Sequence, residues 1–581
     1  MTIPKIWGAG QLFAYSAWDG PSYGTSDFSG MLSGDRIGIR FNSKVRRELS
    51  IVNIKGEELV FDAVTGDYIC FRSGREDVEN IAQCSDHGCE ASAMRVIYAR
   101  RHLIIGNACN GACPIVITEG VHKIDSIEGV TIQDTGDGEY TAFKWDGNRF
   151  AFAFDYSKEA VLALIAEGMT LDIEVEEAHK KAFYEEHSVE ESFPYAALYG
   201  KCLSVMKTQL MSPEEPFTTI WSTPDRLPHR HFWLWDSVFH GLGHRHIDQA
   251  LAEDLVSAIM ESQCEDGRIP CTTCVDKSRT TNHTQPPIIA WGAWQLYESG
   301  HNKAFLEKIY EKNGIFLEWC RDNRRMTDKE LYTWLTEQDV ERCKCGECGM
   351  DNSPRFDVNA HLYAIDFNCF IANDLRFMAK IAAELGDSEK ASYYQAWFED
   401  VKNATNEFLW SEEDGFYFDY NIEEGKQHKV WAVSSFLPLF AGICDKKQAD
   451  RLVQHLQDPE SFATEFPIPS ISKKDKTFGT DMWRGPVWIN FNYMILQGLK
   501  EYGYCDAYQK IRNKTVDNMN RWYQYSGVVF EFYDCNNEKP SPRLNRKGTP
   551  VEPYDIRLRV QTIRDFGWSC TLLLDLLQDY K

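Results

Sequence analysis

Two carboxylates lie where side chains do chemistry rather than build a core. Asp351 falls in Cys348-Gly349-Met350-Asp351-Asn352-Ser353-Pro354-Arg355-Phe356-Asp357, where Gly349 and Pro354 argue for a loop and the helical pattern resumes only after Asp357. Glu531 ends an apolar approach in Val529-Phe530-Glu531-Phe532-Tyr533-Asp534. Such a pair is suited to the two halves of an acid–base reaction: one group protonates a leaving oxygen, the other takes a proton from water or attacks in its place. Cleavage of a glycosidic bond needs two groups of this kind. Asp351 reads as the proton donor.

Three further stretches are too polar for a core and too aromatic for plain solvent. In Phe232-Trp233-Leu234-Trp235-Asp236-Ser237-Val238-Phe239-His240, read as a loop, Asp236 is either a helix N-cap or a group for sugar hydroxyls, with Trp235 as the flat platform. Asp266-Gly267-Arg268-Ile269-Pro270 leads on to Asn282-His283-Thr284-Gln285-Pro286-Pro287. There the proline pair starts a helix, Gln285 is placed to hydrogen-bond a ligand through both amide groups, and His283 reads as structural. In Asp481-Met482-Trp483-Arg484-Gly485-Pro486-Val487-Trp488-Ile489-Asn490-Phe491-Asn492, the residues Trp483, Arg484, Trp488, Asn490 and Asn492 mix flat faces with fixed donors at a density no folding requirement explains. Asn352 and Tyr533 complete the candidate binding set.

The elements that must carry these residues change character along the chain. Residues 1–170 read as short β-branched or aromatic strands between Gly, Asp and Asn turns, such as Arg36 to Phe41, Arg95 to Ala99, Cys113 to Ile117 and Phe150 to Phe154. An antiparallel β-sandwich is expected there. Asp19 and Asp27 read as exposed turn carboxylates. Residues 171–190 read as a charged linker helix. From 191 to 581 the apolar spacing is helical, in eleven or so segments of similar length, with the function-like residues confined to alternate loops. Antiparallel helical hairpins wound into a closed α/α toroid fit this pattern, and the loops at one rim would then share a central cleft. No repeat of fixed period supports an open superhelix.

Lys+Arg 62 against Asp+Glu 87 gives a formal charge of −25, which repels phosphate backbones and anionic lipid, so neither nucleic acid nor a membrane is expected as a partner. The first 30 residues show no apolar signal core, and the expected place is the cytosol. Eighteen cysteines then read as reduced thiols. The cluster Cys343, Cys345 and Cys348, with Cys271 and Cys274 as further ligands, would be the one candidate zinc site. Its spacing fits no two-knuckle pattern, and the expectation is no metal and no cofactor. The Asn-x-Thr triplets at Asn282, Asn403 and Asn513 carry no weight in a cytosolic chain.

Trp235-Asp236, Gln285-Pro286-Pro287, Gly349-Met350-Asp351-Asn352-Ser353-Pro354, Trp483-Arg484-Gly485-Pro486-Val487-Trp488 and Phe530-Glu531-Phe532-Tyr533 stand in one order. In that order the chain resembles glycoside hydrolase family 63, which includes processing α-glucosidase I and bacterial hydrolases of mannosylglycerate and glucosylglycerate. The likeness covers roughly residues 195 to 580. It implies an (α/α)6 barrel acting by inversion on α-linked sugars, with the acid at Asp351, the base at Glu531, and Asp236, Gln285, Trp483 and Arg484 lining the sugar pocket. Two features depart from the family pattern. Asp534-Cys535-Asn536-Asn537-Glu538-Lys539-Pro540 replaces a glycine-containing turn, which keeps Glu538 and Glu552 as alternative bases, and the cysteine cluster replaces an aromatic approach to the acid. The expected activity is that of an inverting, exo-acting α-glycosidase on a small α-glucoside or α-mannoside. The alternatives are a trehalase-like or phosphorolytic enzyme, with Arg226, His229, Arg230 and His231 as its anion site, and a non-catalytic sugar-binding or zinc-thiolate protein.

Overall fold

The computed structural model describes residues 93–581 apart from 110–113, 119–120, 137, 214, 226–228, 230, 275–280, 338–342, 548–561 and 581, with the backbone alone of 115–118 and of the strands between 11 and 73. Asp19, Asp27, Cys113, Arg226, Arg230 and Glu552 lie outside the described residues. The chain divides into two units: 1–213 with 225–230 and 523–528, and the remainder.

The first unit carries two antiparallel sheets. One has five strands in the order Gln11–Ala14, Phe28–Ser33, Arg36–Phe41, Glu48–Val52, Ile115–Thr118. The other has eight, running from Lys123–Ile127 through Val130–Asp134, Tyr140–Trp145, Arg149–Asp155, Leu103–Cys109, Ala93–Arg100 and Tyr68–Ser73 to Leu59–Val64. Alternate residues of the eight-stranded sheet, Leu103, Ile105, Ala151 and Ala153 among them, bury against helix α1 (Lys158–Gly168) through Val161 and Ile165. The strand reading of this region misses α1, whose Ser157 hydroxyl caps it by accepting the N–H of Ala160 at 3.0 Å. Helix α2 (Ile173–His187) is pinned by Arg95, whose guanidinium meets Glu174 at 2.5 Å and Glu177 at 2.8 Å, and α3 (Ala196–Gln209) follows.

The second unit is helical. Its helices are α4 (Leu234–His244), α5 (Gln249–Glu261), α6 (Ile289–Gly300), α7 (Lys303–Arg324), α8 (Ile365–Glu384), α9 (Ser388–Leu409), α10 (Leu437–Ala441), α11 (Lys446–Gln457), α12 (Ile489–Glu501), α13 (Cys505–Ser526) and α14 (Gly567–Gln578). Alternate members form a closed circuit: α4 packs on α6, α6 on α8, α8 on α10, α10 on α12, α12 on α14 and α14 back on α4. A closed inner ring of six, with the chain returning through α5, α7, α9, α11 and α13, is consistent with an (α/α)6 toroid. Asp575 of α14 helps close it, taking Arg245 at 2.7 Å and His246 at 2.6 Å from the end of α4 and the Tyr493 hydroxyl of α12 at 2.6 Å. Burial pushes the Asp575 carboxyl up, but these partners outweigh it and hold it at about 2.

The connections are unequal. Those leaving inner helices are short (245–248, 301–302, 385–387, 442–445 and 502–504), whereas those entering them are long (262–288, 325–364, 410–436, 458–488 and 527–566). Antiparallel hairpins therefore put every long loop on one rim. Four of the five helices that follow the short turns are capped by their own Asp or Asn: Asp248 for α5, Asn302 for α7, Asp387 for α9, and a capping box of Asp445 and Gln448 for α11. None of the six inner helices has a side-chain cap from its own first residue. Partners from elsewhere take that place, as when Asp374 of α8 accepts the N–H groups of Ala290 (2.7 Å) and Trp291 (3.2 Å) at the start of α6.

Burial raises the Asp374 carboxyl to about 6, against the bonds it accepts from Asn313, Trp291 and Ala290. A carboxyl that binds its proton more tightly folded than unfolded removes stability as pH rises, here between about pH 4 and pH 6 and by an amount on the order of 3 kcal/mol. Urea midpoints across that window should fall for the wild type relative to Asp374→Asn. Parallel curves would show that the carboxyl is ionised throughout.

Where the sequence reading places a loop at Phe232–His240, the chain forms a two-residue strand, Phe232–Trp233, and then enters α4. All eleven residues of α4 are buried, so even the face carrying Asp236, His240 and His244 meets no solvent. The segment read as helix from Asn359 begins only at Ile365, and the one read over Lys429–Gly442 reduces to a 3-10 turn, Val433–Phe436, followed by α10. Among the described residues no helix is long and apolar enough to cross a membrane.

Candidate active site

The long-loop rim gathers the sequence candidates, beginning with the acid. Gly349 has φ 74°, and a Cβ there would lie 2.4 Å from Cζ2 of Trp235, so only glycine lets the loop back onto that ring. Cys348 shapes the same turn, its Sγ donating to the Cys345 carbonyl at 3.0 Å and accepting the Met350 N–H at 3.2 Å. Beyond Asp351, Pro354–Phe356 makes a 3-10 turn that buries Arg355 between two carboxylates. The guanidinium reaches Asp366 at 2.6 and 2.9 Å and Asp419 at 2.7 and 2.8 Å, tying the acid's loop to the first turn of α8. Glu347, also buried, accepts the N–H groups of Thr284 (2.9 Å) and Leu335 (2.7 Å) and a fork from Arg324, which joins this loop to the Gln285 loop.

Asp351 itself is part-exposed, at 21%, and its Oδ2 pairs with Nζ of Lys547. Glu531 is buried, and the residue just before that lysine holds it: Arg546 donates from Nε to Oε2 (2.9 Å) and from Nη2 to Oε1 (3.2 Å), while the N–H of Ile563 also reaches Oε2 (3.1 Å). Two successive residues thus tie the carboxylates of 351 and 531 to one loop. Their loop is strapped to the Trp483 loop, because the Met482 N–H donates to the Asn545 carbonyl (3.1 Å) and the Lys547 N–H to Oδ1 of Asp481 (2.8 Å).

The expected binding residues divide by what they touch. Asn352 receives the Trp483 N–H on its Oδ1 (3.0 Å), and Arg484 donates to the Asn352 carbonyl (2.9 Å) and pairs with Asp357 (2.5 Å), so both staple loops. Tyr533 is buried, with its hydroxyl accepting the Phe530 N–H (2.9 Å) and its backbone paired to Val487. Gln285 gives its Oε1 to the Trp235 N–H at 3.3 Å, which leaves one amide end rather than two for a ligand. Trp483 and Trp488 stack on each other at 3.8 Å and 5°, while the Trp235 ring meets Trp568 edge-on at 5.2 Å. Asp236 is buried in the first turn of α4, and its charge acts with that of Asp351 on Cys271. Both amide atoms of Asn490, Nε1 of Trp483, Nε1 of Trp568 and Oγ of Ser353 are buried and meet no partner, an unspent polar set on the long loops and the helix starts that follow them. Asn492, by contrast, is spent on the Pro467 carbonyl (2.7 Å) and Thr515 (3.1 Å).

The cysteines beside the acid are free thiols, and among the described residues no group of three or more His, Cys, Asp or Glu is arranged to hold a metal. Burial lifts the thiols of Cys271, Cys343, Cys345 and Cys348 above their ordinary range, which keeps them protonated. Cys345→Ser is accordingly expected to leave turnover unchanged and to move the melting temperature by a few degrees. A large loss of stability accompanied by loss of bound zinc would overturn that expectation. Of the residues named for an anion site, His229 pairs with Asp225 at 2.7 Å within the first unit, and His231 with Cys274 at 3.2 Å within the second.

Residues 229–569 match the model of the mannosylglycerate hydrolase MGH1-like glycoside hydrolase domain, more than half of the chain. The chain belongs to glycoside hydrolase family 63. It is a glycoside hydrolase, and the resemblance read from five motifs holds. The mannosylglycerate hydrolase of Rubrobacter radiotolerans is 31% identical over 436 residues, 61% of this chain and 92% of that protein. An uncharacterized protein of Borreliella burgdorferi is 25% identical over 275 residues, 46% of this chain and 54% of its own length. The family 63 mannosylglycerate hydrolase of Thermus thermophilus, solved with Tris, shares the fold at TM-score 0.53 and 21% identity over 65% of this chain and 99% of that one.

Proposed function

We propose that this family 63 glycoside hydrolase removes one terminal α-linked glucose or mannose from a small glycoside, with inversion, using Asp351 as acid and Glu531 as base. The observation that carries this reading is that successive residues, Arg546 and Lys547, hold the two carboxylates, on a rim that also carries polar atoms no protein group satisfies. Asp351 gives its proton to the glycosidic oxygen as the bond from that oxygen to the anomeric carbon breaks. Water attacks the carbon from the opposite face, and Glu531 takes the proton that water sheds. The products are the free aglycone alcohol and the sugar as its β anomer; a proton exchanged with solvent then restores both groups. Inversion asks for carboxyls about 6.5–9.5 Å apart, which leaves room for the water. The relative from Rubrobacter radiotolerans, named for a small glycosyl conjugate, supports a small substrate over a polymer.

The test is a panel of α-linked disaccharides and glycosylglycerates followed by NMR from the first turnover. The β anomer should appear first. Initial release of the α anomer would exclude inversion, and silence across the panel would exclude the substrate class.

The same reading takes the two antiparallel sheets as a sandwich domain over 1–170, the stretch 171–190 as a linker helix, and 191–581 as the barrel. It places the protein in the cytosol with a small carbohydrate as its partner and neither nucleic acid nor membrane, which the charge of −25 favours.

A further inference from the structure

Arg546 and Lys547 are neighbours in sequence with different grips on the two carboxylates. Arg546 is 5% exposed and its planar fork spans both oxygens of Glu531, whose side chain is 4% exposed. Oε2 of Glu531 already receives two donors, Arg546 Nε and the Ile563 N–H, whereas Oε1 receives one. Oε1 is therefore the atom left to meet water. Lys547 makes a single contact among the described residues, on Oδ2 of Asp351, and both partners are partly open, at 24% and 21%. Its backbone is fixed by the bond to Asp481, but the ammonium rides on a flexible four-carbon stem. The oxygen it covers is one of the two through which Asp351 can reach a leaving group.

We propose that Arg546 and Lys547 are a positioning pair for the hydrolysis: Arg546 turns Oε1 of Glu531 toward water, and Lys547 holds the ionised Asp351 carboxylate in place until substrate displaces the ammonium and the carboxylate takes up from solvent the proton it gives to the leaving oxygen. This rests on the reading of Asp351 and Glu531 as acid and base. The pair also sets two cations against two carboxylates, so the site is close to neutral in a chain of formal charge −25.

Leaving-group dependence separates the two roles. An α-glycosyl fluoride departs as fluoride and needs no proton, whereas an alkyl α-glycoside needs one. Lys547→Met, at a part-exposed position, should lower kcat/KM on the alkyl glycoside at least tenfold more than on the fluoride of the same sugar. Arg546→Gln should lower kcat on both substrates, about a hundredfold or more, and Arg546→Lys should restore part of that loss while leaving KM near wild type. The inference is overturned if Lys547→Met affects the two substrates equally or neither, or if Arg546→Gln keeps wild-type kcat. Should Arg546→Gln fail to fold, the Lys547→Met ratio and Arg546→Lys still decide. Asp351→Asn and Glu531→Gln run alongside: if these retain activity, the acid and base assignment itself fails, whereas if they are inactive and the positioning variants behave as wild type, the positioning role alone fails.

Discussion

Glu531→Gln is expected to lower kcat by about 10²–10⁴-fold or more, and Asp351→Asn to do the same, with melting temperatures close to wild type. Glutamine can still receive the Ile563 N–H and an Arg546 donor, which keeps the loop in place, but it has no carboxylate to take a proton from water. Asparagine at 351 likewise has no proton to give a leaving oxygen. The surrounding loop is held through the backbone carbonyl of 351, which accepts the Lys344 N–H at 2.9 Å, and that bond survives the change. Steady-state rates on the substrate found in the panel, together with thermal melts, check both variants. Near-normal turnover in either would remove that residue from its role, and for Glu531 it would move attention to Glu538, whose backbone is bound by Asp534 at 3.0 Å on the same loop.

Arg355→Leu should be the most destabilising single change in the second unit, by about 3–5 kcal/mol. The arginine is 1% exposed and neutralises Asp366 and Asp419, themselves at 0% and 2%; removing it leaves two carboxylates buried with no counterion. The remaining donors, Trp334 Nε1 and the Phe367 N–H on Asp366 and the Ile365 N–H on Asp419, are neutral and cannot carry that charge. Combining Arg355→Leu with Asp366→Asn and Asp419→Asn should recover much of the loss, because the cost lies in the orphaned charges rather than in the missing contact. Urea unfolding followed by tryptophan fluorescence measures it, and a shift below about 1 kcal/mol for the single variant would show that the carboxylates find water or protonate instead.

How far the sequence can be read depends on the range of the interaction concerned. Periodicity locates α7, α9 and α13 almost to the residue because each keeps one buried and one wet face. It fails at α4, wholly buried, and at α10, too short to show a period. Flanking residues are enough to mark Asp351 and Glu531, since glycine, proline and an apolar run act locally. The groups that hold those acids leave no local mark: Arg355 finds Asp419 across 64 positions, and Arg546 and Lys547 sit in an ordinary polar stretch. Asn352, Arg484 and Tyr533 read as sugar ligands because polar and aromatic side chains clustered with glycine look alike whether they meet a ligand or a neighbouring loop. Here their bonds run to loops.

The unequal connections of the second unit have a consequence for how such a protein can diversify. Scaffold and candidate site are kept on opposite ends: turns such as 385–387 and 442–445 reverse the chain, at Gly386 (φ 85°) and Gly442 (φ 70°), while 325–364, 458–488 and 527–566 carry the proposed acid, base and sugar-facing residues. A randomised library confined to the long segments, with buried ties such as Arg355 held fixed, would therefore explore new aglycones without repacking a single inner helix. The same degree of variation in the tight turns would unfold the ring before it altered what the ring accepts.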